Sequence, residues 1–265
     1  MKKTTGVING RLWGQKANDW AEYQETTCAS VFDAVLERTD VGIGTSYLDL
    51  GCGSGLAAVK AAEKGATVTG LDAAPALLEI ARSRLPGADF HQGDLEQLPF
   101  EDDRFDVVTG FNSIQYAGTP TTALREAARV TVPEGVIAIA TWGEPGGMEA
   151  AQIVAALKPL LPPPPPGAPG PFALSDEARL REFAGEGGLD PQEVFDVECP
   201  WVYPDEATAL RGLSSSGVAT KAVGAVGQKA VDDAHAAAIE PYKGPDGSYR
   251  IGATFRVLIA RRLPS

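Results

Sequence analysis

The 265-residue sequence has few cysteines and no long apolar run, and each scarcity excludes a class of protein. The cysteines Cys28, Cys52 and Cys199 lie far apart, so they form no metal-binding cluster and leave an odd thiol. This pattern predicts a reduced, cytoplasmic setting. No hydrophobic stretch approaches the roughly 20 residues that span a bilayer, and the first residues lack the apolar segment of a signal peptide.

Basic residues are also scarce, with 23 Lys and Arg against 35 Asp and Glu and a formal net charge of -12. Because proteins bind the phosphate backbone through Lys and Arg, this balance predicts no nucleic-acid partner. A chain of this length with 44% hydrophobic residues can bury one large core. We therefore expect a single domain over 1–265 rather than two independent ones.

Strand-like and helix-like segments alternate along the first half of the chain. Apolar, β-branched segments predict the strands, and segments rich in helix formers separate them. The predicted strands are 46–50, 66–71, 88–92, 105–110 and 135–141, and the predicted helices between them are 54–64, 75–85 and 120–130. This alternation predicts a doubly wound α/β fold, with a mostly parallel sheet and helices on both faces.

The two ends of the chain are less regular. Residues 10–38 are predicted to be helical, with one face formed by Trp13, Ala17, Trp20, Gln24, Cys28 and Val31. A proline run at 162–166 predicts an extended surface connector. A helix (175–185), a strand (193–200) and a helical stretch (217–239) follow, and the run SYRIGATFRVLIARR predicts a last strand that pairs antiparallel.

A glycine-rich turn, YLDLGCGSG from Tyr47 to Gly55, joins the first predicted strand to a helix and indicates a nucleotide site. It is not a phosphate-binding P-loop, because no Lys-Ser or Lys-Thr pair follows it. A dinucleotide fingerprint needs Gly or Ala at its sixth position, where this chain has Leu56. Asp49, just before the glycines, would repel a pyrophosphate but attract an ammonium or sulfonium group, and S-adenosylmethionine carries both.

Two further carboxylates follow the next two strands. Asp72 ends the second strand and can accept hydrogen bonds from both hydroxyls of a ribose. Asp94 follows the third strand and can accept from an adenine amino group, with Leu95 against the ring. Each aspartate alone could be a helix cap or a turn residue. Together they surround the crevice at the carboxyl ends of the strands, where open α/β sheets bind ligands.

On these motifs the segment from Ser46 to Trp142 resembles the class I S-adenosylmethionine-dependent methyltransferases, in particular the ubiquinone/menaquinone-biosynthesis-like small-molecule group. LDLGCGSG resembles that family's first motif, GLD the second, GDLEQLPF the third and FDVVTGFNSIQYAG the fourth. EAARVTVPEGVIAIATW looks like its next helix, turn and fifth strand. The resemblance implies a Rossmann-like, seven-stranded sheet whose last strand is antiparallel.

The resemblance also implies where the chain binds its ligands: an N-terminal helical lid (1–38), a cofactor-binding core (46–142), and substrate-side insertions (143–191 and 204–245). The lid would hold the methionine end of the cofactor by cation–π attraction. The residues assigned to S-adenosylmethionine are Trp20, Tyr23, Asp49, Gly51, Cys52, Gly53, Gly55, Asp72, Ala73, Asp94, Leu95, Phe111 and Asn112.

The acceptor side is less defined. Many relatives carry a His pair after the fourth strand, where this chain has Gln115 and Tyr116. These two residues are the candidates to orient a small-molecule acceptor, and a dedicated base is needed only for a poorly acidic hydroxyl or carbon. The expected acceptor is hydrophobic or aromatic, surrounded by Trp13, Trp20, Tyr23, Phe172, Trp201 and Tyr203. A homodimer is one assembly that the resemblance allows.

Two other hypotheses stay open at this point. A methyltransferase fold can bind the cofactor and catalyse a cyclisation or rearrangement without transferring a methyl group. A non-catalytic scaffold is the second, but a scaffold has no use for Asp49, Asp72 and Asp94.

Overall fold

The computed structural model describes residues 5–163 and 170–263, so the predicted proline connector falls partly outside the described residues, at 164–166. Nine strands are described: Ser46–Leu50 (β1), Thr67–Asp72 (β2), Asp89–Gln92 (β3), Phe105–Phe111 (β4), Thr131–Trp142 (β5), Leu189–Glu198 (β6), Trp201–Tyr203 (β7), Tyr249–Ile251 (β8) and Thr254–Arg262 (β9). The α-helices described are Thr5–Gly14 (α1), Ala17–Asp19 (α2), Ala29–Arg38 (α3), Leu56–Glu63 (α4), Pro75–Arg84 (α5), Pro120–Val130 (α6), Glu149–Ala156 (α7), Glu177–Glu186 (α8), Glu206–Leu213 (α9), Gly217–Val226 (α10) and Gln228–Ile239 (α11).

Seven strands form one sheet in the order β3-β2-β1-β4-β5-β9-β6. The first five strands pair parallel, whereas β9 runs antiparallel to both β5 and β6. The predicted fold class, a mostly parallel seven-stranded sheet with an antiparallel last strand, is confirmed. The carboxyl ends of β1, β2 and β3 come together at one edge of the sheet, so Asp49, Asp72 and Asp94 lie around the same crevice.

The side chains of β1 show how the two faces of the sheet are covered. Tyr47 is fully buried among residues of α3, α4 and α5, whereas Leu48 and Leu50 are fully buried among residues of α6 and α8. This is the period-two alternation of a strand with a helical layer on each side. Burying each leucine contributes about 1.5–3 kcal/mol. Asp49 lies on the same face of the sheet as Tyr47, so packing shields its carboxylate from water.

The segments outside the sheet differ from the sequence prediction in three places. The helical stretch 217–239 is two helices, because Gly227 adopts a φ of 87° between α10 and α11. The last predicted strand breaks after Ile251, and its first part, β8, pairs with β7 in a second, two-stranded sheet. The N-terminal helix starts at Thr5 and is irregular, with a π-helical turn at Trp20–Gln24 and a 3-10 turn at Glu25–Cys28.

Within the two described ranges, no helix combines the length and the apolar character that crossing a membrane requires.

Candidate functional site

The glycine turn after β1 has a backbone that other residues would strain. Gly51, Gly53 and Gly55 all lie in the left-handed region, with φ values of 75°, 55° and 85°. A Cβ on Gly51 would come within 2.4 Å of the Ser113 Cβ, so a side chain there would also collide with the segment after β4. Glycine is the residue that tolerates both constraints.

The amides of this turn bond to the protein itself. Gly51 and Cys52 donate to the Leu71 carbonyl at 2.7 and 3.1 Å, and Gly55 donates to the Cys52 carbonyl at 2.9 Å. Gly53 donates to Asp72 Oδ2 at 2.9 Å. A phosphate-binding loop instead points its free N–H groups at the anion. The turn therefore shapes a cavity wall and is poorly suited to hold a phosphate.

Asp49 is a buried carboxylate at the end of β1. It is 2% exposed and accepts a hydrogen bond from Thr109 Oγ1 at 3.2 Å. Burial raises the pKa of its carboxyl to about 7, and the nearby Glu25 and Asp72 add to the rise, whereas the Thr109 hydrogen bond opposes it. A positively charged ligand would stabilise the ionised form that burial penalises.

Asp72, at the end of β2, is the link between the glycine turn and α5. Its carboxylate accepts from the Gly53 amide at 2.9 Å and from the Ala74 amide at 2.8 Å. Burial raises its pKa, and these backbone donors oppose the rise. The Ala73 amide is a further backbone donor to this carboxylate. A carboxylate has about four acceptor sites, so Asp72 keeps hydrogen-bonding capacity for a ligand.

Asp94 follows β3 and accepts from the Glu96 amide at 3.1 Å. Helix α1 passes directly over it, since a Cβ on Gly6 would lie 2.7 Å from Asp94 Oδ2. Leu95, the next residue, packs against the α6 side of the core and also faces the crevice.

One cavity joins these residues. Its empty volume is about 1100 Å³ when the open mouth is counted with it. The predicted site residues on its wall are Trp20, Asp49, Gly51, Cys52, Gly53, Asp72, Ala73, Asp94, Leu95, Phe111, Asn112 and Tyr116. None of the side chains that line this cavity in the described part of the chain is Lys or Arg.

Three predicted site residues are not on that wall. Gly55 is the N-cap residue that precedes α4, and a Cβ there would collide with Ala81. Gln115 donates from Nε2 to Asn112 Oδ1, so it contacts a wall residue rather than the cavity. Tyr23 points away from the cavity, where its hydroxyl accepts from Arg211 Nη1 at 2.7 Å. Whether any of these residues contacts a ligand stays a prediction.

Helix α1 supplies three wall residues that the sequence prediction missed. Gly6, Asn9 and Gly10 line the cavity beside the predicted Trp13, and a Cβ on Gly10 would lie 2.1 Å from the Ala73 carbonyl oxygen. Asn9 Nδ2 donates to the Tyr116 carbonyl at 2.9 Å. The signal in the sequence is the four-residue spacing of Gly6 and Gly10. This spacing leaves one side of α1 without side chains at these positions, so the helix backbone lies close to the site.

A second missed feature is an ion pair between Glu25 and Arg84. Glu25 is 4% exposed, pairs with Arg84, and accepts from the Leu56 amide at 3.3 Å. Arg84 also donates to the carbonyls of Ser54 at 3.0 Å and Ala21 at 2.9 Å. This pair ties the irregular N-terminal helix to the glycine turn and places a fourth carboxylate near the site.

The Trp20 side chain belongs to the π-helical turn and reaches back to the glycine turn. Its Nε1 is 3.5 Å from the point where a Gly53 Cβ would lie. That nitrogen is buried and has no hydrogen-bond partner among the described residues. A buried indole N–H is normally bonded, so the geometry leaves a donor for a ligand.

Part of the cavity wall is apolar, and we call this part the apolar lobe. Its six side chains come from five different elements and belong to one hydrophobic cluster. They are Cys28, Val31, Phe32, Phe111, Ala140 and Phe255. The rings of Phe32 and Phe111 meet edge to face, with centroids 4.7 Å apart.

The expected aromatic surroundings of the acceptor are only partly present. Trp13 and Trp20 line the cavity, with ring centroids 4.9 Å apart. Trp201 and Tyr203 are 4% and 1% exposed in the second sheet and do not face the cavity. Phe172 packs on Trp142, 6.2 Å between centroids. Tyr203 instead donates to Gln24 Oε1 at 2.7 Å, an interior hydrogen bond.

Part of the chain is similar in sequence to known methyltransferases. Residues 48–139 match the family described as "Methyltransferase domain". The chain is 35% identical over 111 residues to a demethylmenaquinone methyltransferase of Paenarthrobacter aurescens, covering 42% of this chain and 44% of that protein. It is 38% identical over 106 residues to a malonyl-[acyl-carrier protein] O-methyltransferase of Serratia marcescens, covering 38% and 42%. The chain thus spans less than half the length of these curated relatives.

Two solved structures are similar in fold. The YcgJ protein from Bacillus subtilis superposes with a TM-score of 0.60 at 19% identity, covering 88% of this chain and 98% of that one. The [4+2]-cyclase SpnF superposes with a TM-score of 0.56 at 21% identity, covering 89% and 80%. At identities of 19% and 21%, this similarity shows the fold alone.

Proposed function

We propose that the protein transfers a methyl group from S-adenosylmethionine to a small-molecule acceptor, on the premise that residues 48–139, which match the methyltransferase domain family, form a class I S-adenosylmethionine-dependent methyltransferase domain. The observation that carries this proposal is a set of carboxylates at three strand ends around one cavity. Among the described residues, no Lys or Arg lines that cavity. A ligand with positive charge suits such a site, and a phosphate does not.

The residues present fit this cofactor. Asp49 would attract the ammonium group, the free acceptor sites of Asp72 would take the ribose hydroxyls, and Asp94 with Leu95 would hold the adenine. The unpartnered Trp20 Nε1 would donate to the carboxylate of the methionine end. Each assignment uses a group that the ligand-free structure leaves with unused hydrogen-bonding capacity.

When bound, S-adenosylmethionine would supply an electrophilic methyl group and leave as S-adenosylhomocysteine. The protein's part is to hold the reactants together, which can lower the barrier by about 7–11 kcal/mol, and to exclude water. Asn112 and Tyr116 line the same cavity as the glycine turn and the apolar lobe. Burial raises the pKa of the Tyr116 hydroxyl, so Tyr116 would stay neutral and orient the acceptor rather than act as a base.

The relatives do not identify the acceptor. The names of the two curated relatives refer to demethylmenaquinone and to a malonyl group, which share little chemistry. The fold also supports cyclisation, as the name of SpnF states. A cyclase would turn over without consuming the cofactor, so the formation of S-adenosylhomocysteine separates the two functions.

The three free thiols of the described residues also support the proposal of a reducing, cytoplasmic setting.

The test begins with isothermal titration calorimetry of S-adenosylmethionine against wild type and Asp72→Ala. We expect the variant to lose about 1.5–3 kcal/mol of binding free energy, the scale of hydrogen bonds to a charged group. Asp33→Ala is the control, because Asp33 is an exposed carboxylate that pairs with Lys60 outside the cavity. Unchanged affinity in Asp72→Ala would contradict the cofactor assignment.

A further inference from the structure

Building on the proposed function, we propose that the acceptor is an uncharged amphipathic molecule whose apolar part occupies the apolar lobe, and that the site rejects anionic acceptors. The lobe and the glycine turn belong to the same cavity. An acceptor in the lobe would therefore present its reactive end to the cofactor across Asn112 and Tyr116, which follow Phe111 at the carboxyl end of β4.

The apolar part of this proposal rests on the lobe's lining. Val31, Ala140 and Phe255 are at most 2% exposed, so the lobe lies inside the protein rather than on a solvent-exposed groove. Cys28 is the one lining side chain of the lobe with a titratable group, and burial raises the pKa of its thiol to about 12. The thiol stays neutral at physiological pH. A hydrocarbon chain or ring is the ligand that such a surface holds best.

The rejection of anions rests on the charges around the rest of the cavity. Asp49, Asp72 and Asp94 all face it. Arg84 lies behind the wall and is engaged by Glu25 and by the carbonyls of Ser54 and Ala21. The bound cofactor, with an ammonium, a sulfonium and a carboxylate, would bring one net positive charge against three carboxylates. A carboxylate or phosphate on the acceptor would be buried in a negative field without a partner cation, which is strongly unfavourable.

Matched probes of one chain length test this assignment without knowledge of the natural acceptor. Octan-1-ol and octanoate differ in charge and share the same apolar chain. Each is titrated by calorimetry into the protein saturated with S-adenosylhomocysteine at pH 8. We expect octan-1-ol to bind at least tenfold more tightly than octanoate.

A pair of variants locates the binding. Cys28→Phe places a ring in the lobe at a half-buried position, whereas Ser30→Phe places the same ring on the exposed side of α3. We expect Cys28→Phe to weaken octan-1-ol binding at least tenfold and Ser30→Phe to leave it within twofold. Both variants should bind S-adenosylhomocysteine like the wild type, which shows that they are folded.

Two results would overturn the acceptor assignment alone: octanoate binding as tightly as octan-1-ol, or unchanged octan-1-ol binding in a Cys28→Phe variant that still binds S-adenosylhomocysteine. Failure of the wild type to bind S-adenosylhomocysteine would instead refute the proposed function, and the acceptor assignment would fall with it.

Discussion

Replacing Asp49 by asparagine should stabilise the ligand-free protein and weaken cofactor binding at the same time. Burial raises the pKa of this carboxyl from 3.8 to about 7. The folded protein therefore holds the proton more tightly than the unfolded chain does, and ionising Asp49 opposes folding. As the pH rises from 4 through 7 the folded state loses this stability, and the loss is complete above pH 7.

The magnitude follows from the difference in pKa. About three pKa units at 1.36 kcal/mol each means that ionised Asp49 lowers the free energy of unfolding by about 4 kcal/mol. Asparagine removes the charge and still offers a side-chain oxygen to Thr109 Oγ1. We expect Asp49→Asn to gain up to about 4 kcal/mol at pH 8 and little at pH 4.

Cofactor affinity should change in the opposite direction. An ammonium beside Asp49 favours its ionised form, so wild-type affinity should fall by up to about tenfold for each pH unit below 7. Asparagine removes both the attraction and this pH dependence. The weaker affinity of Asp49→Asn should therefore be nearly constant between pH 6 and pH 8.

Urea denaturation at pH 4 and pH 8 measures the first effect, and calorimetry with S-adenosylhomocysteine at pH 6, 7 and 8 measures the second. Asp33→Asn is the control, since Asp33 is exposed and should show neither effect. The reasoning would be refuted by a variant less stable than wild type at pH 8, or by one whose cofactor affinity keeps the wild-type pH dependence.

Three further predictions concern the walls of the cavity. Arg84→Met should lower the free energy of unfolding by about 3–5 kcal/mol because it leaves Glu25 buried and unpaired, and adding Glu25→Leu should recover part of that loss in urea denaturation; no recovery would contradict the pairing. Deleting residues 1–24 should abolish turnover and weaken cofactor binding in calorimetry, because α1 and Trp20 form one wall; unchanged affinity in a stably folded truncation would eliminate the lid. Gln115→Ala and Tyr116→Phe should lower kcat on the true acceptor, and full activity in both variants would place the orienting groups elsewhere.

The sheet and the three aspartates could be predicted because their signals are local. Asp49 and Asp72 lie at the carboxyl ends of β1 and β2, and Asp94 comes two residues after β3. The parallel topology then brings these strand ends together. Gly227 shows the limit of local signals: a single glycine in an Ala-rich stretch is often tolerated in a helix, and its positive φ is visible only in the structure.

The apolar lobe and the ion pair could not be predicted because they depend on distant partners. Phe255 and Cys28 are 227 residues apart in the sequence and meet in one lobe. Glu25 and Arg84 are 59 residues apart, and no periodicity connects them. Trp201 was expected near the acceptor, but β7 pairs with β8, whose three residues gave no separate strand signal.

The position of β9 has a consequence for the order in which the protein can be completed on the ribosome. Strand β6 ends at Glu198, and within the described residues its sheet partner is β9, which starts at Thr254. The 55 residues between them take roughly 3–11 s to synthesise at 5–20 residues per second. During that interval the nascent sheet ends at β5 with an open, apolar edge, the kind of edge that pairs with other chains. Because Phe255 belongs to β9, the nascent chain has its glycine turn before its apolar lobe is complete.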